Sequence, residues 1–182
     1  MIETGGTLKR ARLWTEALPD ACFSSDQSFT MALNSRTNTA QPNIESQQAA
    51  VEVVIPLGGR TAYGLLGATF NKEIPGPFIV EVFYSDSNWR RYDTDFIPYY
   101  EIFTGLPKVY AKSVKDAVSK YFETDGRNVP SGELLFNCAA FCEVGSSQYV
   151  FEQLSLAICK VMFSGRKYET RNDVLDLVSF PP

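Results

Sequence analysis

The sequence predicts an α+β fold, a two-layer sandwich in which two helices pack on one face of a mixed sheet. Segments 51–57 and 78–84 alternate apolar with other residues, the period of a half-buried strand, and an apolar run at 62–70 lies between them. Two later segments, 106–123 and 150–162, carry apolar residues at the spacing of a helix face. An alternating segment at 133–144 separates these helices. The predicted core therefore has the order βββαβα.

Composition limits the class of protein. A chain of 182 residues with 45% hydrophobic residues is long enough for one domain with a packed core. The formal net charge is −4, whereas a protein that follows nucleic-acid phosphates is usually basic. The acidic balance therefore argues against nucleic acid as the main partner.

The sequence also predicts where the protein works. No run approaches the length of a membrane-spanning helix, and residues 1–12 lack the apolar segment of a signal peptide. Three of the four cysteines, Cys138, Cys142 and Cys159, fall at positions that look buried, which suits free thiols in a reducing compartment. We therefore expect a cytoplasmic protein without a membrane partner.

The chain contains no histidine, which restricts its chemistry. A Ser-His-Asp triad, a Cys-His dyad and a zinc site with a histidine ligand are all excluded. The Gly-rich sequence that binds nucleotide phosphates in many GTPases is also missing. We therefore predict no catalytic residue, no metal ligand and no cofactor, and favour a protein that is not an enzyme.

Two regions follow one another along the chain. Residues 1–49 are predicted to form an N-terminal extension with strands at 8–14 and 28–33, followed by a polar linker at 34–48. Residues 50–182 are predicted to form the α+β domain. It begins with three antiparallel strands, of which 62–70 returns as the hairpin partner of 51–57, and Pro75-Gly76-Pro77 forms a turn before 78–84.

The remaining elements complete the predicted domain. Residues 85–104 are rich in aromatic side chains, which indicates either a loop packed over a sheet face or a stacking surface for a partner, and we favour the packed loop. Pro107 lies in the first turn of the first long helix, which Gly126 and Pro130 bring to an end. In the strand at 133–144 we assign one face to alternate residues, namely Leu134, Phe136, Cys138, Ala140, Cys142 and Val144.

The second helix and the core follow from the same periodicity. Ser146 or Ser147 is suited to cap this helix, Gly165 ends it, and a short turn is expected at 172–178. The predicted core residues lie on the apolar faces of three neighbouring elements. They are Val114, Val118, Phe136, Cys138, Phe151, Leu154 and Ile158.

Three short motifs mark the junctions between loops and these elements. They are Gly-Gly-Arg-Thr-Ala-Tyr at 58–63, Leu-Pro-Lys-Val-Tyr at 106–110 and Val-Gly-Ser-Ser at 144–147. In this order they resemble motifs of the fourth domain of elongation factor G, which shares its fold with the second domain of ribosomal protein S5. The resemblance covers about residues 50–163 and includes neither the GTPase nor its phosphate-binding loop. It implies a βββαβα fold with a left-handed crossover.

The resemblance also implies a binding site. In the family, two loops at the tip of the domain reach the decoding centre of the ribosome, and this chain has Cys142 where the family has a tip histidine. Thr61 and Ala62 likewise replace the glycine and glutamine that are usual in the Gly-Gly-Arg loop. The candidate binding residues on the two loops are Gly58, Gly59, Arg60, Tyr63, Cys142, Glu143, Ser146 and Ser147.

These residues also have simpler interpretations. Arg60 either contacts RNA phosphate or is a solvated side chain of a hairpin turn, and the turn is the favoured interpretation. Ser146 and Ser147 are explained by helix capping, since neither lies in a nucleophile elbow. Cys138 and Cys142 lie about 13–14 Å apart along a strand, which excludes a shared metal ion or a disulfide between them.

The predicted function is a free-standing, non-catalytic binding module that docks on a protein or ribonucleoprotein partner, with a role in translation or at the ribosome. RNA is suggested by the resemblance alone. Two alternatives remain open. One is a small enzyme that uses carboxylates or Cys142 in a cleft beside the aromatic loop, and the other is a structural homo-oligomer.

Overall fold

The computed structural model describes residues 1–5, 9–34, 44–57, 59–74, 76–124 and 129–178. These residues form a mixed sheet of nine strands and three helices, which confirms the predicted combination of helices with a mixed sheet. The strands are β1 (Ile2–Gly5), β2 (Arg10–Trp14), β3 (Ser28–Leu33), β4 (Gln47–Leu57), β5 (Arg60–Asn71), β6 (Phe78–Phe83), β7 (Arg90–Arg91), β8 (Phe103–Thr104) and β9 (Gly132–Phe141). The helices are α1 (Lys108–Glu123), α2 (Gln148–Phe163) and α3 (Arg171–Leu177).

The main path of the sheet has the order β1-β2-β4-β5-β9-β6-β3, and the short β7 and β8 pair beside β9. The predicted hairpin of β4 and β5 is confirmed by an antiparallel register from Gln47 opposite Phe70 to Leu57 opposite Arg60. The third predicted strand, β6, is not the neighbour of β5, because β9 lies between them. β9 is antiparallel to β5 and parallel to β6, from which it is reached through α1.

The N-terminal extension contributes three strands to the same sheet. β2 and β3 confirm the two strands predicted there, while β1 was not predicted. β2 pairs with β4 and β3 pairs with β6, so they lie on opposite sides of the central strands. The part of the predicted polar linker at 35–43 lies outside the described residues.

Local sequence signals explain where the helices begin. Pro107 is the N-cap of α1, and Ser147 is the N-cap of α2, where its hydroxyl accepts a hydrogen bond from the Val150 amide. The predicted cap is thus confirmed. Thr170 and Asp173 form a reciprocal capping box at the start of α3, close to the short turn predicted at 172–178. Gly126, expected near the end of α1, lies outside the described residues.

The larger core lies between the sheet and the helices. α1 and α2 contact each other, α2 contacts β4 and β5, and α1 contacts β3 and β6. α3 contacts β1 and β2. All seven predicted core residues are buried, as the sequence predicted. Four aromatic rings meet edge to face in this core, those of Phe70, Phe78, Phe122 and Phe163.

The predicted single face of the strand at 133–144 is wrong. Leu134 and Phe136 belong to the helix-side core, but Cys138, Ala140 and Cys142 belong to a second cluster on the opposite side. The cause is a β-bulge, because Gly67 of β5 pairs with Cys138 while Thr69 pairs with Leu135. One extra residue in β9 shifts the alternation, so that each later side chain points to the other face. β9 also ends at Phe141, which leaves Val144 outside the strand and exposed.

The second face of the sheet is covered by loops, as favoured for the aromatic segment 85–104. Ile97 and Ile102 are buried there against Tyr63 and Leu65 of β5, and Tyr92 and Tyr100 pack against the same cluster. Residues 15–23 contribute Leu18 and Ala21 from the other side. The aromatic segment therefore has a structural role on this face, although Tyr99 remains exposed.

Candidate functional site

The candidate site begins where β5 meets the loop that follows β9. The backbone amide of Tyr63 donates to the Gly145 carbonyl at 3.1 Å, and the Ser146 hydroxyl donates to the Tyr63 carbonyl at 2.8 Å. The same hydroxyl accepts from the Cys142 amide at 2.9 Å. The two loops that the resemblance placed at one end thus lie side by side in the described residues.

Gly145 allows this close approach. A Cβ atom at position 145 would lie 2.6 Å from the Thr61 carbonyl oxygen, a distance that real Cβ atoms essentially never show. Any larger residue would push the loop away from β5. Glycine at position 145 is therefore what lets the two loops approach each other this closely.

The first turns of both long helices reach the same end. The Tyr110 hydroxyl donates to the Ser146 carbonyl at 3.2 Å, and its ring stacks on that of Phe151, with centroids 4.9 Å apart and an interplanar angle of 16°. We define the tip by its residues, which are 59–63, 108–110 and 142–149. The tip is a rigid junction of a hairpin, a loop and two helix starts.

The surface of the tip carries most of the exposed large hydrophobic side chains of the described residues. Five large hydrophobic side chains are exposed among the described residues, and three of them, Val109, Val144 and Tyr149, belong to the tip. Val144 is the most exposed of the three, at 76%. Arg60 and Glu143, one cation and one anion, are also exposed there. Exposed apolar side chains beside polar ones are typical of a protein-binding surface.

The structure separates the predicted binding residues into groups. Gly59, Arg60 and Glu143 are exposed, and Ser147 is exposed while it caps α2. Ser146 is partly buried and joins the loops. Tyr63 and Cys142 are buried and so do not reach the surface of the tip. Gly58 lies outside the described residues.

A second polar feature lies beneath the aromatic segment. The carboxylate of Glu52 on β4 is fully buried, and its Oε1 accepts from the Tyr63 hydroxyl at 2.9 Å and from the Thr94 hydroxyl at 3.1 Å. Its Oε2 lies 3.5 Å from an Arg12 nitrogen. These contacts join β2, β4, β5 and the aromatic segment.

Arg12 connects this carboxylate to the surface. It donates to Glu3 and to Asp95, each at 2.8 Å, and its guanidinium lies 4.2 Å from the centroid of the Phe96 ring. The guanidinium holds the pKa of Asp95 below its usual value. Three carboxylates thus surround one cation, and the group is stabilised by charge-assisted hydrogen bonds.

Burial raises the pKa values of Glu52 and Tyr63. Desolvation raises the pKa of Glu52, and the hydrogen bond from Tyr63 only partly opposes it. Desolvation also raises the pKa of the Tyr63 hydroxyl well above its ordinary value. A carboxylate with no exposed surface cannot receive a substrate, so the group is suited to hold the aromatic segment on the sheet.

We expect Glu52→Gln to make the protein relatively more stable as the pH rises. The pKa of Glu52 is higher in the folded protein than its ordinary value of about 4.5, so the folded state binds its proton more tightly. The stability that the tighter-bound Glu52 proton contributes is present below about pH 4.5. It is lost as the pH rises through the pKa of Glu52 in the folded protein. Glutamine keeps an oxygen acceptor for Tyr63 and Thr94 but does not ionise.

The measurement is urea unfolding of wild type and variant between about pH 4 and pH 8. The other titrating groups are the same in both proteins, so the difference between the two curves reports Glu52. A difference that stays constant with pH would show that Glu52 does not titrate on folding in this range.

Sequence reasoning missed Glu3, Arg12 and Glu52, and it missed the thiol pair of Cys22 and Cys138. Glu52 did carry a signal, because it is the single charged residue of β4. Glu52 and Asp95, which contact Arg12, and Cys138, which lies opposite Cys22, are distant from these residues in the chain. The sequence therefore gave no signal of these contacts. In the parts of the chain that the structure describes, no group of three or more cysteine, aspartate or glutamate side chains could hold a metal ion.

In comparisons with known proteins, no protein-family model matches the chain, and no curated protein or solved structure matches it. None of the helices in the described residues is long and apolar enough to cross a membrane. The resemblance to the fourth domain of elongation factor G stays a prediction from the three motifs.

Proposed function

We propose that this chain is a non-catalytic binding module that docks on a protein surface through its tip. The observation that carries the proposal is the exposure of Val109, Val144 and Tyr149 in the first turns of α1 and α2 and in the loop between β9 and α2, which hydrogen bonds join. A preorganised apolar patch loses little conformational freedom on binding, so most of its burial contributes to affinity.

The charges of the tip favour protein over RNA. Arg60 is the one exposed arginine or lysine of the hairpin loop, and Glu143 on the facing loop would repel a phosphate. The chain as a whole carries a net charge of −4. A rim of opposite charges around an apolar centre is the usual composition of a protein interface.

The resemblance suggests where such a surface is found. The order β4-β5-β6-α1-β9-α2, with α1 between the parallel strands β6 and β9, supports the proposal of a βββαβα core like that of the family. On this ground we propose that the partner belongs to the translation apparatus, with a ribosomal protein as the docking surface. The left-handed crossover that the resemblance implies remains a prediction.

The test is co-sedimentation with ribosomes over a series of salt concentrations. We expect Val144→Asp to weaken binding about tenfold or more, because it places a charge in the apolar centre. Tyr99→Asp is the matched control, since Tyr99 is also an exposed hydrophobic residue but lies in the aromatic segment, outside the tip. Wild-type binding should fall only slightly with salt.

Each other outcome has a defined meaning. Steep salt dependence with loss of binding in Arg60→Ala, but not in Arg171→Ala, would favour a phosphate contact over the protein surface. Equal effects of Val144→Asp and Tyr99→Asp would remove the tip from the interaction. If wild type does not bind ribosomes, the assignment to translation is wrong, and a photo-crosslinking residue at position 144 would then identify any other protein partner.

A further inference from the structure

Cys22 and Cys138 lie directly opposite each other on two antiparallel segments. They form an isolated β-bridge, flanked by hydrogen bonds from Phe23 to Asn137 and from Ala139 to Ala21. The two cysteines do not themselves exchange backbone hydrogen bonds, and such pairs place their Cα atoms about 4.5 Å apart. A disulfide spans Cα separations from about 4.4 to 6.8 Å. The backbone is thus already placed for a bond between these residues.

The side chains confirm this placement. Both thiols lie within hydrogen-bonding distance of the Pro19 carbonyl oxygen, Cys22 Sγ at 3.8 Å and Cys138 Sγ at 3.7 Å. The two thiols therefore share one acceptor and interact with each other. Cys22 is exposed, whereas Cys138 is fully buried. A reagent in solution can therefore reach the Cys22 sulfur, whereas the Cys138 sulfur is shielded and reacts through Cys22.

The contact between the thiols also shifts their pKa values in opposite directions. The hydrogen bond from Cys138 lowers the pKa of Cys22 to about 7, and the same contact raises the pKa of Cys138. Asp20 acts against ionisation of both thiols, but Arg90 binds the Asp20 carboxylate at 3.1 Å and reduces that effect. A large part of Cys22 is thus thiolate, the nucleophilic form, near neutral pH.

A groove of about 390 Å³ is lined by Asp20, Arg90, Arg91, Tyr92 and Asp93. Asp20 and Tyr92 are close enough to Cys138 to interact with it electrostatically. Arg90 and Arg91 pair with Asp20 and Asp93, so the charges that line the groove balance. The groove offers space for a small reagent.

We propose that Cys22 and Cys138 form a redox-active dithiol that exchanges with small disulfides, with Cys22 as the attacking thiol and Cys138 as the resolving thiol. The inference is independent of the proposed docking function, because neither cysteine belongs to the tip.

The reaction balances with glutathione disulfide as oxidant. The Cys22 thiolate attacks one sulfur of the disulfide, forms a mixed disulfide and releases one glutathione thiolate. Cys138 passes its proton to the departing thiolate and attacks Cys22 Sγ, which breaks the mixed disulfide and releases the second glutathione thiolate. The protein loses two electrons and two thiol protons, and one glutathione disulfide becomes two glutathione molecules.

The test is to incubate the full-length protein with glutathione disulfide and to identify its products by mass spectrometry of the intact chain and of its peptides. Wild type should give a peptide pair joined through Cys22 and Cys138, with little glutathione adduct. Cys138→Ala should instead accumulate glutathione on Cys22, and Cys22→Ala should give neither product. Cys159→Ala, which removes another buried thiol, should behave as wild type.

Alkylation of the reduced protein by iodoacetamide gives a second readout that does not need disulfide formation. In wild type the rate for Cys22 should reach half its maximum at about pH 7, and in Cys138→Ala this midpoint should move towards about pH 8.5, the value of a free cysteine. An unchanged midpoint, a stable glutathione adduct on wild type, or oxidation that persists in Cys22→Ala would each overturn the proposal.

Discussion

Replacing Phe151 with alanine is expected to lower the free energy of unfolding by about 3–5 kcal/mol, the usual cost of removing a core aromatic ring. Phe151 is fully buried in the first turn of α2, where its ring stacks on that of Tyr110. The substitution leaves a cavity between α1, α2 and the sheet that the packed neighbours cannot fill. It also removes the ring contact that holds the first turns of the two helices together.

Urea unfolding measures this effect, with Tyr99→Ala as the matched control. Tyr99 is also aromatic but almost fully exposed, so its removal should change stability by less than about 0.5 kcal/mol. A loss below about 1 kcal/mol in Phe151→Ala would show that α2 does not pack as described. The variant should also weaken binding at the tip, in proportion to the unfolded fraction.

The second large effect is expected for Gly132→Ala, at the start of β9. Gly132 has a φ of 123°, which L residues rarely adopt, and a Cβ atom there would lie 2.5 Å from the Asn71 carbonyl oxygen. Strain of this kind costs about 1–3 kcal/mol, and displacement of the backbone adds about 1–3 kcal/mol. We therefore expect a total loss of about 2–6 kcal/mol.

Gly76 provides a control with the same backbone angle. Its φ is also 123°, but no heavy atom lies within 4 Å of a Cβ built at this position. Gly76→Ala therefore reports the strain alone and should cost about 1–3 kcal/mol. Equal losses in the two variants would mean that β5 and β9 separate at this point without cost, contrary to the tight pairing of their ends.

The elements predicted from sequence were those with a strong local pattern. The β4–β5 hairpin, α1 and α2 each carry the periodicity and turn residues of their type, so a short window of sequence is sufficient. The two sides of β9 could not be assigned in this way, because the bulge at Asn137 depends on the pairing with β5. The insertion of β9 between β5 and β6 is likewise a property of the whole sheet.

The candidate site shows the same division. The two tip loops were predicted from motifs, yet the burial of Tyr63 and Cys142 follows from how the sheet faces are covered. Cys22 and Cys138 are separated by more than half of the chain, and only the fold brings them together. Local sequence thus predicted which segments meet, but not which side chains reach the surface.

The position of β9 at the centre of the sheet has a consequence for synthesis of the protein. The strands on either side of β9, β5 and β6, are both made before it. Until residue 141 has left the ribosome, each of them has an open edge that can pair with another chain. The nascent protein therefore depends on the late arrival of one strand to close its sheet, and chains that end before β9 will aggregate rather than fold.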